Sequence, residues 1–253
     1  GGVKELILVA QETTMYGTDL YGEKRLPQLL RELCKINGLR WIRILYCYPE
    51  EITDELIQVI KEEPKICHYL DLPIQHASDG ILKRMGRRTS KEQLIETIEK
   101  LRREIPDIAL RTTLITGFPG ETQEQHEELM DFVDQMEFDR LGVFTYSPEE
   151  DTPAASMPDQ IPEEVKEDRQ AELMELQQDI VFDQAEDRIG EELLVMIEGK
   201  VADENAYVGR TYRDAPNVDG LIFVNTSEEL MSGDFARVKV TGSADYDLIG
   251  ELL

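Results

Sequence analysis

At 253 residues with 41% hydrophobic side chains, the chain is long enough to bury a large core and a smaller one, and too apolar to be disordered. Its formal net charge of −26 opposes nucleic-acid binding, which needs Lys and Arg to displace counterions, and favours basic protein partners. No apolar run is long enough to span a bilayer and no signal-peptide pattern precedes the first strand-like run, so a cytoplasmic protein is expected.

The first strand expected is Lys4–Ala10, followed by a helix that turns Leu26, Leu29, Leu30 and Leu33 to one side. Trp41–Cys47 reads as the second strand, closed by Tyr48-Pro49. Ile52, Leu56, Val59 and Ile60 mark a helix that must stop near Pro64. His68–Leu72 is a short third strand. Ser90 with Gln93 and Thr122 with Gln125 have capping-box spacing, each opening an amphipathic helix, and between those helices Ala109–Thr116 is a β-branched-rich strand. Leu141–Tyr146 is the fifth strand. Strands alternating with amphipathic helices imply parallel βαβ units in an open sheet or partial barrel.

A proline-rich loop over Pro148–Pro162 leads into a long polar helix at about 163–187 with Val165, Leu173, Leu176, Ile180 and Phe182 as a scattered apolar face. Five short strand-like runs then follow between regularly spaced glycines, starting at Leu193, Ala206, Leu221, Phe235 and Asp247. They predict a small all-β barrel of OB type. The expected division is 1–187 for the α/β unit and 188–253 for the barrel.

In parallel βα folds the working residues stand at the C-terminal ends of strands. Gln11 follows the first strand, Gln75 and His76 the third, Gly117, Gly120 and Glu121 the fourth, and Tyr146-Ser147-Pro148 the fifth. Gly117 and Gly120 allow either close backbone approach to a ligand or a tight strand-to-helix turn. Gln75 suits a ribose, or caps a turn. His76 has no visible sequence partner and reads as a core histidine. Arg84, Arg87 and Arg88 suit a carboxylate, or form a solvated helix end. Cys34, Cys47 and Cys67 have spacings that fit neither a metal clip nor a disulfide scaffold, and are expected to be reduced, buried thiols with no metal role.

Leu8–Thr14, the block Leu72–Ser78 with Leu82–Arg87, the turn Gly117–Thr122, and Tyr146-Ser147-Pro148 with Thr152–Ala155 together resemble the radical S-adenosylmethionine (SAM) methylthiotransferases, and the terminal barrel resembles their TRAM module. The resemblance covers the whole chain. It implies a partial TIM-like (β/α) barrel followed by an OB-like barrel, with SAM and two [4Fe–4S] clusters as cofactors of the complete enzyme. The family holds one cluster with a C-x-x-x-C-x-x-C loop after the first barrel strand and the other with cysteines of an N-terminal domain. The three cysteines here match none of those positions. The cluster loop is therefore expected within a few tens of residues upstream of Gly1, and this chain alone is expected to be inactive, with no catalytic residue assigned.

By the same resemblance, Gln11 meets the SAM amino group. Gln75 and the Gly117–Glu121 turn line the ribose and methionine side, and Arg87 meets the carboxylate. The segment Arg213–Gly220 resembles the branch of the family that methylthiolates an aspartate of small-subunit ribosomal protein twelve. From Gly190 onward there are 5 Lys and Arg against 13 Asp and Glu, a net −8, which favours a basic ribosomal protein over tRNA. The alternatives are the tRNA-modifying branch and an inert fragment that only binds protein. Asp214 and Asp219 are expected on an exposed loop that docks the substrate.

Overall fold

The computed structural model describes residues 2–253. A five-stranded sheet is built from β1 (Glu5–Leu8), β2 (Trp41–Ile44), β3 (Ile66–Asp71), β4 (Ala109–Thr116) and β5 (Arg140–Thr145). The strands are all parallel and lie in chain order, β1-β2-β3-β4-β5. Between them run α1 (Thr18–Tyr21), α2 (Leu26–Cys34), α3 (Asp54–Glu62), α4 (Asp79–Arg84), α5 (Lys91–Glu104) and α6 (Gln123–Met136). Strands added in order with their helices on one side give a sector of a barrel, helical outside and concave inside.

Strand alternation assigns the two faces. In β4, Leu110, Thr112, Leu114 and Thr116 are buried while Arg111, Thr113 and Ile115 are half-buried. Leu110 and Leu114 join Ile42, Ile44, Leu70 and the apolar faces of α2, α3, α5 and α6 in the main core. Trp41, Cys67, Tyr69 and Ala109 form a separate cluster with Ala215 on the opposite, concave side.

Both capping boxes form. The Ser90 hydroxyl accepts from the Gln93 amide and the Gln93 side chain from the Ser90 amide, and Thr122 and Gln125 do the same for α6. Each satisfies two of the helix's orphan N–H groups within four residues of sequence. The short helix α4 has no assigned counterpart in the sequence reading, and Arg84 stands in its last turn. The long helix α7 (Glu163–Asp187) has the expected bounds, but its buried face differs in part from the expected one. Its buried side is Lys166, Arg169, Leu173, Gln177, Ile180, Val181 and Ala185, three of the seven polar, while Val165, Leu176 and Phe182 are half-exposed.

After α7 come β6 (Glu192–Lys200), β7 (Ala206–Arg210), β8 (Ile222–Asn225), β9 (Phe235–Ala244) and β10 (Asp247–Leu252). They close into a barrel in the order β10-β8-β7-β6-β9, around Val195, Ile197, Tyr207, Ile222, Val224 and Val238. Cys47 and Cys67 are buried, as expected, but Cys34 is half-exposed. Among the described residues no helix is long and apolar enough to cross a membrane.

Candidate cofactor-binding site

Two clefts open beside the C-terminal ends of the strands and share Met85, Gly86 and Arg87 as their common wall. The larger, 700 Å³, is lined by Gln11, Glu12, Tyr48, Glu50, Glu51 and Arg88. The smaller, 500 Å³, has apolar walls from Ile115, Phe118, Phe144 and Met157 and polar groups from Gln75, Thr145, Tyr146 and Ser147.

Gln75 reaches this position by an unusual backbone. Its φ is +72°, a left-handed conformation that costs a non-glycine residue energy. It is held there by an isolated bridge to β4, in which its amide donates to the Thr113 carbonyl (2.9 Å) and its carbonyl accepts from the Ile115 amide (2.7 Å). The Gln75 Oε1, the Arg87 Nε and the Tyr146 hydroxyl are buried without a hydrogen-bond partner, and all three residues line the smaller cleft. Buried polar atoms are nearly always paired, so three orphans around one cleft fit a ligand with several polar atoms. Arg87 lies over the Tyr48 ring at 4.5 Å, donates to the Pro73 carbonyl (3.0 Å) and stands 3.7 Å from Glu50.

The turn after β4 has a different part from the one expected. Glu121 is 2% exposed. Its carboxylate accepts from His76 Nε2 (3.1 Å), the Gly117 amide (3.0 Å), the Thr116 hydroxyl (3.3 Å) and Arg169 (2.7 Å). Burial would raise its pKa, but the hydrogen bond and charge from His76, the Gly117 amide and Arg169 outweigh this and hold it below the usual carboxylate value. His76 Nδ1 accepts from the Ser78 amide (2.9 Å), which leaves Nε2 as the donor.

Both glycines make room for side chains of the same chain. A Cβ on Gly117 would lie 2.3 Å from Lys166 Cγ, and one on Gly120 2.0 Å from Arg84 Nη1. Gly117 and Glu121 therefore form a lock against α7 behind the cleft, and Gly120 faces the end of Arg84. Sequence reasoning missed Lys166 and Arg169, both buried; two basic residues three apart at the start of an otherwise acidic helix were the available signal.

The expected docking loop is also corrected. Asp214 and Asp219 point inward, with side chains 4% and 2% exposed, because complementary arginines wait on the sheet. Asp214 pairs with Arg140 and accepts from the Thr211 hydroxyl (2.7 Å). Asp219 accepts from the Tyr69 hydroxyl (2.6 Å) and the Ala215 amide (2.8 Å) and pairs with Arg111 at 3.3 Å. Burial and the Asp219 carboxylate push the Tyr69 phenol well above its ordinary pKa, keeping it a donor. Arg213 pairs with Asp139, and Arg43 bridges Glu5 (2.9 Å) to the Tyr212 carbonyl (2.6 Å). The loop thus plugs the concave face of the sheet on the side away from the clefts.

Two of the three cysteines are buried, in separate clusters. Cys47 lies in the main core and Cys67 in the concave-face cluster. Burial pushes the Cys67 thiol up to about 12, and burial, with Glu12 and Asp71 nearby, raises Cys47 well above its usual value.

Comparison with known proteins adds to this geometry. The Radical SAM superfamily matches residues 1–133 and the TRAM domain residues 189–253. The chain is 68% identical over 250 residues to a ribosomal protein uS12 methylthiotransferase RimO of Lachnoclostridium phytofermentans, covering 99% of this chain and 57% of that protein. It is 53% identical over 252 residues to the protein of the same name from Desulfitobacterium hafniense, covering 100% and 56%. The chain therefore spans little more than half the length of these curated relatives. Among solved structures, the Elp3 of Methanocaldococcus infernus, with its N-terminus deleted, superposes with a TM-score of 0.49 at 17% identity, over 69% of this chain and 44% of that one.

Proposed function

Because this chain belongs to the radical-SAM superfamily, we propose that it is the C-terminal portion of a cytoplasmic methylthiotransferase acting on ribosomal protein uS12. The observation that carries the proposal is the 68% identity to a RimO protein, which covers 99% of this chain and so both the α/β sheet and the terminal barrel.

The cleft geometry supports SAM as cofactor. The apolar walls at Ile115, Phe118, Phe144 and Met157 suit the faces of an adenine, and the orphaned Gln75 Oε1 and Tyr146 hydroxyl suit its polar edge and ribose. Gln11 and the acids Glu12, Glu50 and Glu51 suit the amino and sulfonium charges of the methionine end, and Arg87, between the two clefts, suits its carboxylate. When bound, SAM and the clusters supply hydrogen abstraction from the target aspartate β-carbon and delivery of the methylthio group. This chain's residues bind, orient and shield. The cluster ligands are expected in the remainder of the parent protein. The −26 charge suits a basic ribosomal protein.

The test is anaerobic reconstitution of the parent protein with iron and sulfide, then incubation with SAM, a reductant and uS12. Peptide mass spectrometry should show one aspartate of uS12 gaining a methylthio group. Modification of tRNA in place of uS12, or of neither, refutes the proposal.

A further inference from the structure

Asp219 stands at one end of a chain of contacts that leads out of the terminal barrel, across the concave face and up to the clefts. It pairs with Arg111 of β4 at 3.3 Å. Arg111 Nη1 donates to Asp71 Oδ1 at 3.1 Å, at the last residue of β3. The other oxygen of Asp71 accepts from the Tyr46 amide at 3.1 Å, just past β2. Tyr46 has a φ of +56°, so its backbone is held against its preference, and its side chain is exposed at the sheet mouth. The Tyr46 carbonyl accepts from the Thr13 amide at 2.9 Å, and the Thr13 hydroxyl donates to the Leu45 carbonyl at 2.5 Å. Thr13 follows Gln11 by two residues.

We propose that Asp219 is a positioning residue for the strand ends around the cofactor clefts, acting through Arg111 and Asp71 on the left-handed backbone at Tyr46 and so on the segment that carries Gln11. The terminal barrel is then part of the scaffold of the site. The link to a cofactor rests on the function proposed above; the link from Asp219 to Tyr46 does not.

The physical argument is one of over-determination. A non-glycine residue persists in a left-handed conformation only where its surroundings fix it. Asp71 supplies that fixing at Tyr46, using one oxygen for the amide and the other for Arg111. Arg111, half-buried, is placed between two carboxylates, and Asp219 anchors its far side while being pinned by Tyr69 and Ala215. Without the Asp219 charge, Arg111 is free to move toward Asp71 alone, and the oxygen facing Tyr46 shifts with it.

Asp214 provides the control. It is a buried carboxylate on the same loop and also pairs with one sheet arginine, Arg140. Arg140 otherwise donates to the Asp139 carbonyl, far from the strand ends. Asp219→Asn and Asp214→Asn therefore remove comparable interdomain contacts, and only the first removes a direct partner of Arg111.

The readout is amide hydrogen exchange at Tyr46 in this chain, with β5 amides as an internal reference for global opening. Asp219→Asn should speed Tyr46 exchange by about tenfold relative to the β5 reference, and Asp214→Asn should leave that ratio within about twofold. If Asp219→Asn does not fold, Tyr69→Phe, which removes the hydroxyl pinning Asp219 and leaves every charge in place, should give about a threefold change in the same direction. An unchanged ratio in the variant measured, or an equal change in Asp214→Asn, overturns the proposal. SAM affinity of the reconstituted parent enzyme, measured by equilibrium dialysis, separates the two inferences. If exchange responds and affinity does not, the route from Asp219 stands and the placement of Gln11 at the cofactor fails.

Discussion

Replacing Glu121 by Gln tests whether the turn after β4 is a lock. The carboxylate joins three segments through four donors: His76 beyond β3, Thr116 and Gly117 at the end of β4, and Arg169 on α7. A glutamine fills the same volume but has one acceptor oxygen and a donor NH2. With His76 Nε2, the Gly117 amide and Arg169 all donating, at least one donor must face the NH2 group. Arg169, its side chain 8% exposed, also loses its counter-charge. Breaking one side of a buried ion pair costs about 3–5 kcal/mol, and the retained oxygen argues for the lower end, about 3 kcal/mol. In a chain of this size that corresponds to a Tm drop of about 6–12 °C. The pH dependence has a defined sign. Glu121 is held below its ordinary pKa in the folded state, so its contribution is present above the unfolded value and is lost as pH falls through the folded one. The gap between parent and E121Q should therefore be full at neutral pH and should narrow on acidification through and below the ordinary glutamate range. Urea titrations from neutral to acidic pH measure it. A loss under about 1 kcal/mol at pH 7 would show that the four donors find water or other acceptors, and the lock reasoning would be wrong.

Gly117→Ala should destabilise more than Gly120→Ala in urea titrations. Both have positive φ, but the first Cβ meets the buried stem of Lys166 and the second meets the mobile end of Arg84, so Gly120→Ala should cost only the left-handed strain of about 1–2 kcal/mol. Alkylation by iodoacetamide at pH 8 should leave Cys47 and Cys67 unmodified in the folded protein and modify both in urea, since burial raises both thiols. Gln75→Ala should weaken SAM binding to the reconstituted parent enzyme by about fivefold, the equivalent of one hydrogen bond, with little change in Tm.

Much of the fold was legible because its signals are local. A capping box needs four residues, and Ser90–Gln93 and Thr122–Gln125 start α5 and α6 where the spacing predicts. The β-branched run Ala109–Thr116 forms a strand with those bounds. The site residues divide on the same line. Gln11 and Gln75 line the clefts because strand ends converge in a parallel sheet, and the period of the pattern reveals strand ends; Arg87, just past α4, was legible only as part of a basic cluster. What Gly117 and Gly120 face was not legible. A glycine turn is equally required by a ligand and by a neighbouring side chain, and the neighbours, Lys166 and Arg84, lie 49 and 36 positions away along the chain.

The loop carrying Asp214 and Asp219 shows where composition misleads and where it does not. Asp, Pro, Asn and Gly are turn formers whether the turn meets solvent or is driven into another unit. The outcome was decided by Tyr69, Arg111 and Arg140, which contact the loop from other strands. Yet the electrostatic argument built on the same segment survives. Arg210 and Arg213 are buried in the interface together with Asp214 and Asp219. Setting those four aside leaves 3 basic and 11 acidic side chains from Gly190 to Leu253, still a net −8. Around them, the arginines Arg43, Arg111, Arg140, Arg188, Arg210 and Arg213 are matched by Glu5, Asp71, Asp139, Glu198, Asp214 and Asp219, six against six. The interface network is neutral, so the whole −26 is presented by the rest of the chain. Attraction of a basic protein is then a property of the exterior as a field, and it does not depend on the loop that joins the two units.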